Sequence, residues 1–122
     1  LSVTDNLLLA QRLAGQPRDP TAIAALLTRL GIGDRAQAKP RALSQGEAQR
    51  AAIARALVGR PALVIADEPT SALDDANAER VARLLLEMAE ANGSTLLIAT
   101  HDARLRQFIP ETVALEPLRE AA

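Results

Sequence analysis

The spacing of apolar residues along the chain predicts helices first and buried strands later. Leucines at positions 7, 8, 9 and 13 recur at helical spacing and predict a helix over residues 4–14. Asp19 followed by Pro20 is a typical helix start, and it predicts a second helix over residues 20–30. A short helical turn is expected after Asp34, before Pro40. Residues 1–42 are therefore predicted to form a small, partial helical subdomain.

From residue 43 the pattern changes to helices that alternate with strands. The segments "ALVIA" and "TLLIAT" are apolar without alternation, which predicts strands that are covered on both faces. Helices are predicted over residues 44–59, 76–91 and 102–108, and a weak third strand over residues 112–116. The order strand, helix, strand predicts parallel pairing through a right-handed crossover. The fold class is therefore α/β, with a parallel sheet in residues 43–122 joined to the α-helical subdomain.

Composition and charge narrow the possible functions. With 122 residues, 48% hydrophobic and 24% charged, the chain is typical of a soluble globular domain. A net charge of −1 offers no basic surface, so no nucleic-acid partner is expected. The absence of cysteine excludes disulfides and thiolate metal sites. No apolar run is long enough to cross a bilayer and no leader is recognised, while a first residue other than Met suggests a piece of a longer protein.

Polar residues with catalytic chemistry follow both predicted strands. Asp67 and Glu68 follow the first strand, and Thr100, His101 and Asp102 follow the second. Ligands bind beyond the carboxyl ends of parallel strands, so two acids and the only histidine are expected in one crevice. A lone acid at a strand end is more often only a polar residue where the chain leaves the sheet towards water. Here two acids and the only histidine are expected together, which favours a ligand-binding site. An Asp that holds Mg²⁺ through water, beside a Glu that polarises water, suits phosphoryl transfer.

The start of the helix at residue 44 carries a second candidate site. Ser44 and Glu47 fit a capping box, in which a hydroxyl and a carboxylate satisfy backbone N–H groups. Gly46 has no side chain, so it leaves the backbone N–H groups at this helix start uncovered, which suits anion binding. Alone this signal is weak, because many ordinary helices begin in the same way.

Three segments together resemble the ATPase domain of ABC transporters. "LSQGEAQRAAIARAL", "ALVIADEPTSALD" and "TLLIATHD" are similar to the signature motif, the Walker B strand with its D-loop, and the switch histidine, in the family's order and spacing. "LSVTDNLLLAQRLAG" resembles the opening of the helical subdomain in the lipoprotein-release and macrolide-export branch. The resemblance is close over residues 43–102. It implies a partial P-loop NTPase fold of the RecA-like, ABC ATPase type.

The resemblance also implies a function, which is ATP binding and hydrolysis in a membrane transporter with ATP and Mg²⁺ as cofactors. Asp67 would assist Mg²⁺, Glu68 would be the catalytic carboxylate that orients water, and His101 would contact the γ-phosphate. Further residues would bind nucleotide or communicate across a head-to-tail dimer: Ser44, Gln45, Gly46, Ser71 and Asp74. The partners implied are a second nucleotide-binding domain, a transmembrane permease subunit and the missing N-terminal half of the domain. The implied location is the cytoplasmic face of the inner membrane.

The chain departs from the family's pattern in the signature and in the phosphate-binding loop. Gln45 stands where the signature usually has Gly, and Glu47 where it often has Gln. Since a carboxylate would repel a γ-phosphate, Glu47 is expected to fold back into the helix cap. The only lysine, Lys39, is not part of a G-x-x-x-x-G-K-[ST] motif, so the chain resembles the second half of a nucleotide-binding domain. Without a P-loop strand beside it, "TLLIAT" is expected to expose an apolar edge that pairs with the missing half or with another copy.

Two other functions remain open from the sequence. Soluble ABC-type ATPases of chromosomes, DNA repair or ribosomes share the motifs, but they usually carry coiled coils, zinc modules or basic arms, and none occurs between Leu43 and His101. A non-catalytic scaffold is the other alternative. The presence of Asp67, Glu68 and His101 argues against it, whereas the absent P-loop favours it.

The absent P-loop generates the first testable prediction. The isolated chain is expected to bind Mg-ATP negligibly and not to hydrolyse it, because nothing in its sequence can cradle the β- and γ-phosphates. Isothermal titration calorimetry of the purified chain with Mg-ATP measures this directly. Tight binding would contradict the prediction.

Overall fold

The computed structural model describes residues 1–109 and residue 111. Each helix and strand predicted within this part of the chain is present, with ends that differ by one residue; the last predicted helix, however, is a 3₁₀ turn. The predicted strand over residues 112–116 lies outside the described residues. The helices and strands are α1 (Val3–Leu13), α2 (Pro20–Arg29), α3 (Gln45–Val58), β1 (Leu63–Asp67), α4 (Asp75–Asn92) and β2 (Thr95–Ala99). Short 3₁₀ turns cover Gly33–Arg35, Pro40–Ala42 and Ala103–Gln107.

Side-chain caps fix the helix ends that the sequence indicates. The Ser2 hydroxyl accepts from the Asp5 N–H while the Asp5 carboxylate accepts from the Ser2 N–H, so α1 begins with a capping box. Asp19 caps α2 and Asp74 caps α4 with a single bond each, in which the carboxylate accepts a backbone N–H three residues further on. Gly93 ends α4 in the left-handed conformation with φ of +71°, which glycine adopts without strain.

The two strands form a parallel pair, as predicted. Leu63 lies opposite Thr95, and the register runs on without a bulge until Asp67 lies opposite Ala99. Helix α4 connects the strands and packs against β2. Both strands therefore end at the same level.

One apolar core joins all four α-helices to the sheet. Its members come from α1 and α2 as well as from the elements after residue 43: Val3, Leu7, Ile23, Leu27, Ile53, Leu57, Val64, Val81, Leu85 and Met88. The helical segment therefore packs directly on the strand-bearing segment. The division at residues 42 and 43 stays a prediction based on motifs.

The prediction that both faces of the strands are covered is wrong for one face. Val64 is buried, and Leu96 and Ile98 pack against the core. On the opposite face Ile65 and Leu97 are 63% and 54% exposed. The described helices cover only the first face, and an apolar run has the same sequence pattern whether its second cover comes from the same segment or from elsewhere.

This exposed face predicts self-association of the isolated chain. Contiguous exposed apolar side chains on a sheet with unpaired strand edges favour contact with another copy. The variant Leu97→Gln is expected to shift the association equilibrium towards monomer by about tenfold, because it removes one large apolar side chain from the contact. Sedimentation velocity over a dilution series measures this shift.

Leu1→Gln is the matched control, because Leu1 is also exposed but lies before α1 and outside the sheet. It should leave the association unchanged. A chain that stays monomeric at all concentrations with a stable melting transition would contradict the prediction, as would equal effects of the two variants.

Candidate functional site

The carboxyl ends of β1 and β2 bring three of the predicted site residues to one edge of the sheet. Asp67 ends β1, and Glu68 follows it. His101 comes two residues after the end of β2. The Glu68 N–H donates to the Ala99 carbonyl at 2.8 Å, which extends the parallel ladder by one residue. The structure therefore places both acids and the histidine beside one another, at the edge where parallel sheets bind ligands.

Glu68 has both carboxylate oxygens held by the end of the neighbouring strand. The Thr100 hydroxyl donates to Oε2 at 2.8 Å, and the His101 backbone N–H donates to Oε1 at 2.9 Å. Glu68 also has a φ of +47°, a left-handed conformation that is strained for a residue with a side chain. The left-handed backbone and the two hydrogen bonds to the carboxylate fix the position of this side chain. A carboxylate held in this way can accept a hydrogen bond from a water molecule and orient it.

Asp67 is exposed at the tip of β1, where a hard cation could reach its oxygens. Among the described residues no group of three acids or histidines lies close enough to hold a metal ion. The donor set therefore fits Mg²⁺ bound mainly by water and phosphate oxygens, with Asp67 as one protein partner, since Mg²⁺ usually keeps several waters. It does not fit a metal cage built by this part of the protein alone.

The start of α3 has the geometry of a complete capping box. The Ser44 hydroxyl accepts from the Glu47 N–H at 3.2 Å, and the Glu47 carboxylate accepts from the Ser44 N–H at 2.9 Å. The other Glu47 oxygen pairs with Arg35 at 2.9 Å. The hydrogen bond from the Ser44 N–H, and after it the hydrogen bond from Arg35, lowers the pKa of the Glu47 carboxyl. The expectation that Glu47 folds back into the cap is therefore met.

Gly46 and Gln45 lie in the first turn of α3 and are exposed. A Cβ placed on Gly46 would meet no other atom within 4 Å, so the helix start is open to a ligand or a partner surface. Among the described residues no hydrogen bond joins Ser44, Gln45 or Gly46 to the Glu68 cluster. One turn further along α3, the Gln49 amide nitrogen donates to the Pro69 carbonyl, so the helix is joined to the residue that follows Glu68.

Comparison with known proteins shows the family. The family model described as ABC transporter matches residues 1–71, which is more than half of the chain. The chain belongs to the ABC transporter family.

The relatives confirm the predicted branch of this ABC transporter family. The lipoprotein-releasing system ATP-binding protein LolD of Hydrogenovibrio crunogenus is 44% identical over 107 residues, which cover 86% of this chain and 46% of that protein. LolD 2 of Rhodospirillum rubrum is 56% identical over 79 residues, covering 65% and 34%. The chain spans about half the length of curated relatives that it matches.

A solved structure confirms the predicted ABC ATPase fold. The dimeric structure of a bacterial ABC transporter cassette superposes with a TM-score of 0.70 at 33% identity, over 88% of this chain and 49% of that one. Within the described residues, no helix is both long and apolar enough to cross a membrane.

Ser71 and Asp74 lie in the segment between Glu68 and the start of α4. The Ser71 hydroxyl donates to the Glu68 carbonyl at 3.4 Å, a long contact. The Asp74 carboxylate accepts from the Asn77 N–H at 2.8 Å and so begins α4. Both side chains are exposed. The segment between Glu68 and α4 is thus anchored at each end and open to solvent between them.

Next to His101 lies a hydrogen-bond network that the sequence analysis did not predict. The Asp102 carboxylate, 7% exposed, accepts from the Thr70 hydroxyl at 2.7 Å and from Arg104 at 2.8 Å. Arg104 also donates to the Thr70 carbonyl at 3.1 Å and to Asp75 at 2.9 Å. The Asp102 N–H donates to the Thr100 hydroxyl, which itself donates to Glu68. Hydrogen bonds therefore join the end of β2, the Thr70 segment and the start of α4 to one another and, through Thr100, to the Glu68 carboxylate.

The polar partners in this network shift the pKa values of its charged groups. The Arg104 guanidinium and then the Thr70 hydroxyl hold the pKa of the Asp102 carboxyl well below its usual range. The Asp102 carboxylate, followed by that of Asp75, raises the pKa of Arg104. The only sequence signal for the network is an acid after the histidine with an arginine two residues further on.

The lowered pKa of Asp102 predicts an acid-dependent loss of stability. A carboxylate whose pKa is depressed by folding stabilises the protein above its unfolded pKa, and this contribution is lost as the pH falls through the folded pKa. Asp102→Asn should therefore lower the urea unfolding midpoint at pH 7. The difference from the unsubstituted chain should shrink as the pH falls below the ordinary carboxylate value of about 4.

Glu87→Gln is the control, since Glu87 is an exposed acid on α4 outside the network. It should change the urea midpoint little at any pH. A constant difference between Asp102→Asn and the unsubstituted chain from neutral to acidic pH would contradict the assignment.

Proposed function

We propose that the chain forms the signature and switch half of an ATP-binding cassette. Joined to a half that carries a P-loop, it binds and hydrolyses Mg-ATP to drive a membrane transporter of the lipoprotein-release kind. The Glu68 carboxylate carries this proposal, because both of its oxygens are held by the end of β2 at the edge where Asp67 and His101 lie.

At this edge each residue has a distinct role in the proposed reaction. Glu68 accepts a hydrogen bond from the attacking water and holds it in line with the γ-phosphate. Asp67 would hold Mg²⁺ through its water shell, and the bound metal would supply positive charge that offsets the charge of the phosphates. The His101 imidazole contacts the γ-phosphate. Thr100 supports Glu68 through the hydroxyl contact at 2.8 Å.

The start of α3 serves the nucleotide of a second cassette. In a head-to-tail dimer, the Ser44 hydroxyl and the backbone N–H groups near Gly46 approach the phosphates bound to the partner subunit, as an open helix N-terminus favours. Gln45 adds a neutral hydrogen-bonding side chain to the same contact. Ser71 and Asp74 face the dimer partner and relay its state to the segment that begins at Glu68.

A transmembrane subunit is the second partner, and α1 offers the surface for it. Leu9 and Leu13 lie one helical turn apart and are 45% and 78% exposed. A cavity of about 320 Å³ beside them is lined by Leu8, Leu9, Arg12, Gln16 and Arg18. An exposed apolar patch with a basic rim is typical of a protein docking surface. Docking there places the cassette on the cytoplasmic face of the inner membrane.

The alternative of a soluble ABC-type ATPase is weaker on the same observations. Such a protein needs a surface for nucleic acid or for the ribosome, and the net charge of −1 supplies no basic footprint. The relatives reported above are named as parts of lipoprotein-releasing systems. Co-purification with a permease rather than with nucleic acid separates the two functions.

The proposed role of Glu68 predicts a sharp loss of turnover. The chain is combined with the P-loop half of a lipoprotein-releasing relative, and phosphate release is followed with time. The combined cassette should hydrolyse ATP, and Glu68→Gln should lower kcat by at least about 100-fold because the variant loses the charged acceptor for water. Nucleotide binding, measured separately by calorimetry, should persist.

Glu90→Gln makes the same chemical change at an exposed position near the end of α4, and it should leave kcat unchanged. Full turnover by Glu68→Gln would refute the catalytic assignment. Hydrolysis by the chain without its P-loop half would refute the proposal that both halves are needed for activity.

A further inference from the structure

A cavity of about 440 Å³ lies away from the residues assigned to ATP. It opens to solvent and is bordered by the loop after α1, by α2, and by the C-terminal ends of α3 and α4. Asp67, Glu68 and His101 do not line it, nor do the signature residues at the opposite end of α3. Its volume falls within the range of about 300–1,000 Å³ that is common for small-molecule sites.

Gln11 is the one strongly buried polar side chain in the wall of this cavity within the part of the chain that the structure describes. It is 4% exposed, and its Oε1 accepts from the Asp19 N–H at 3.1 Å. Its amide nitrogen has no hydrogen-bond partner among the described residues. Every fully enclosed side-chain nitrogen or oxygen there does have a partner, so the Gln11 amide nitrogen keeps some access to solvent, and Gln11 lines the cavity. A donor without a protein partner on a largely buried side chain is available to a ligand acceptor.

The charged groups of the cavity are two cations and one acid, whereas the amides of Gln16 and Asn92 in the lining are neutral. Arg29 and Arg60 contribute guanidinium groups to the lining. Asp19 is the only acid in the lining, and its carboxylate already accepts the Ala22 N–H at 3.0 Å as the cap of α2. The balance of charge in the wall is therefore positive, which favours an anion.

The floor of the cavity is apolar. Leu26 from α2, Leu57 from α3 and Met88 from α4 line it. A ligand that fits must therefore carry an apolar body as well as an acceptor group. Inorganic anions lack such a body, and neutral alcohols lack the charge.

We propose that this cavity binds a small anionic amphiphile, a carboxylate on a short aliphatic body. The carboxylate accepts from the Gln11 amide nitrogen and lies near Arg29 and Arg60, while the aliphatic body contacts Leu26, Leu57 and Met88. The site joins the ends of α3 and α4 to α2, so an occupant connects the predicted helical subdomain to the strand-bearing segment. It does not depend on the proposed ATPase function.

The single methionine of the chain gives a direct reporter of binding. Met88 lines the cavity, so the ¹³C-labelled methionine methyl group yields one NMR resonance from its wall. Sodium octanoate is the probe, added to the full chain below its micelle concentration. The Met88 resonance should shift and saturate, whereas octanol and acetate at equal concentrations should shift it far less.

Two variants test the polar contacts. Gln11→Glu keeps an oxygen to accept the Asp19 N–H but replaces the amide donor with a negative charge. Arg60→Asn removes a positive charge, and asparagine tolerates the left-handed backbone found there, where φ is +51°. Each should weaken octanoate binding by about tenfold, the usual effect of losing a hydrogen bond or contact to a charged group. Arg106→Gln, an exposed arginine outside the cavity, should leave the affinity unchanged.

The outcomes decide the proposal clearly. A saturable Met88 shift that requires both the carboxylate and the aliphatic body, and that both variants weaken, supports it. An unmoved Met88 resonance overturns it, as does an equal shift with octanol or unchanged affinity in the variants. Shifts confined to the Ile65 and Leu97 methyl groups would place octanoate on the exposed sheet face and would also overturn it. If Gln11→Glu fails to fold, Arg60→Asn and the octanol comparison give the answer.

Discussion

The parallel pairing of β1 with β2 is the constraint on which the site depends. Because Asp67 lies opposite Ala99, the residues that follow the two strands emerge at the same level. The Glu68 N–H extends the ladder to the Ala99 carbonyl, and the positive φ of Glu68 then turns the chain out of the sheet. A shift of one residue in this register would move the Glu68 carboxylate away from Thr100 and reverse the faces of every strand residue.

Much of this arrangement was predictable from local sequence, because local sequence controls it. Helix ends follow from caps such as Ser44 and Asp74, which act within three residues of the helix start. The edge that carries Asp67 and Glu68 follows from an apolar strand that runs directly into acids. Helix and strand bounds therefore agreed with the apolar pattern to within one residue.

The parts that could not be predicted depend on distant partners or on the sign of a backbone angle. Thr70 and Asp102 are separated by 32 positions, so no local pattern indicates that they share a hydrogen bond. The left-handed conformation of Glu68 leaves no trace in hydrophobic periodicity, which reports faces rather than dihedral angles. The exposure of Ile65 and Leu97 depends on which segments cover the sheet, and the strand sequence cannot specify that.

The ion pair between Arg35 and Glu47 has a consequence for how α3 presents itself to anions. An acid in the first turn of a helix would by itself repel an approaching phosphate, but at 2.9 Å the guanidinium cancels most of its field at longer range. The uncovered backbone N–H groups near Gly46 then determine the local potential, which stays positive. Substitutions at Arg35 and Glu47 are therefore expected to be coupled. A relative that loses Arg35 and keeps Glu47 would carry an unpaired negative charge at the start of this helix.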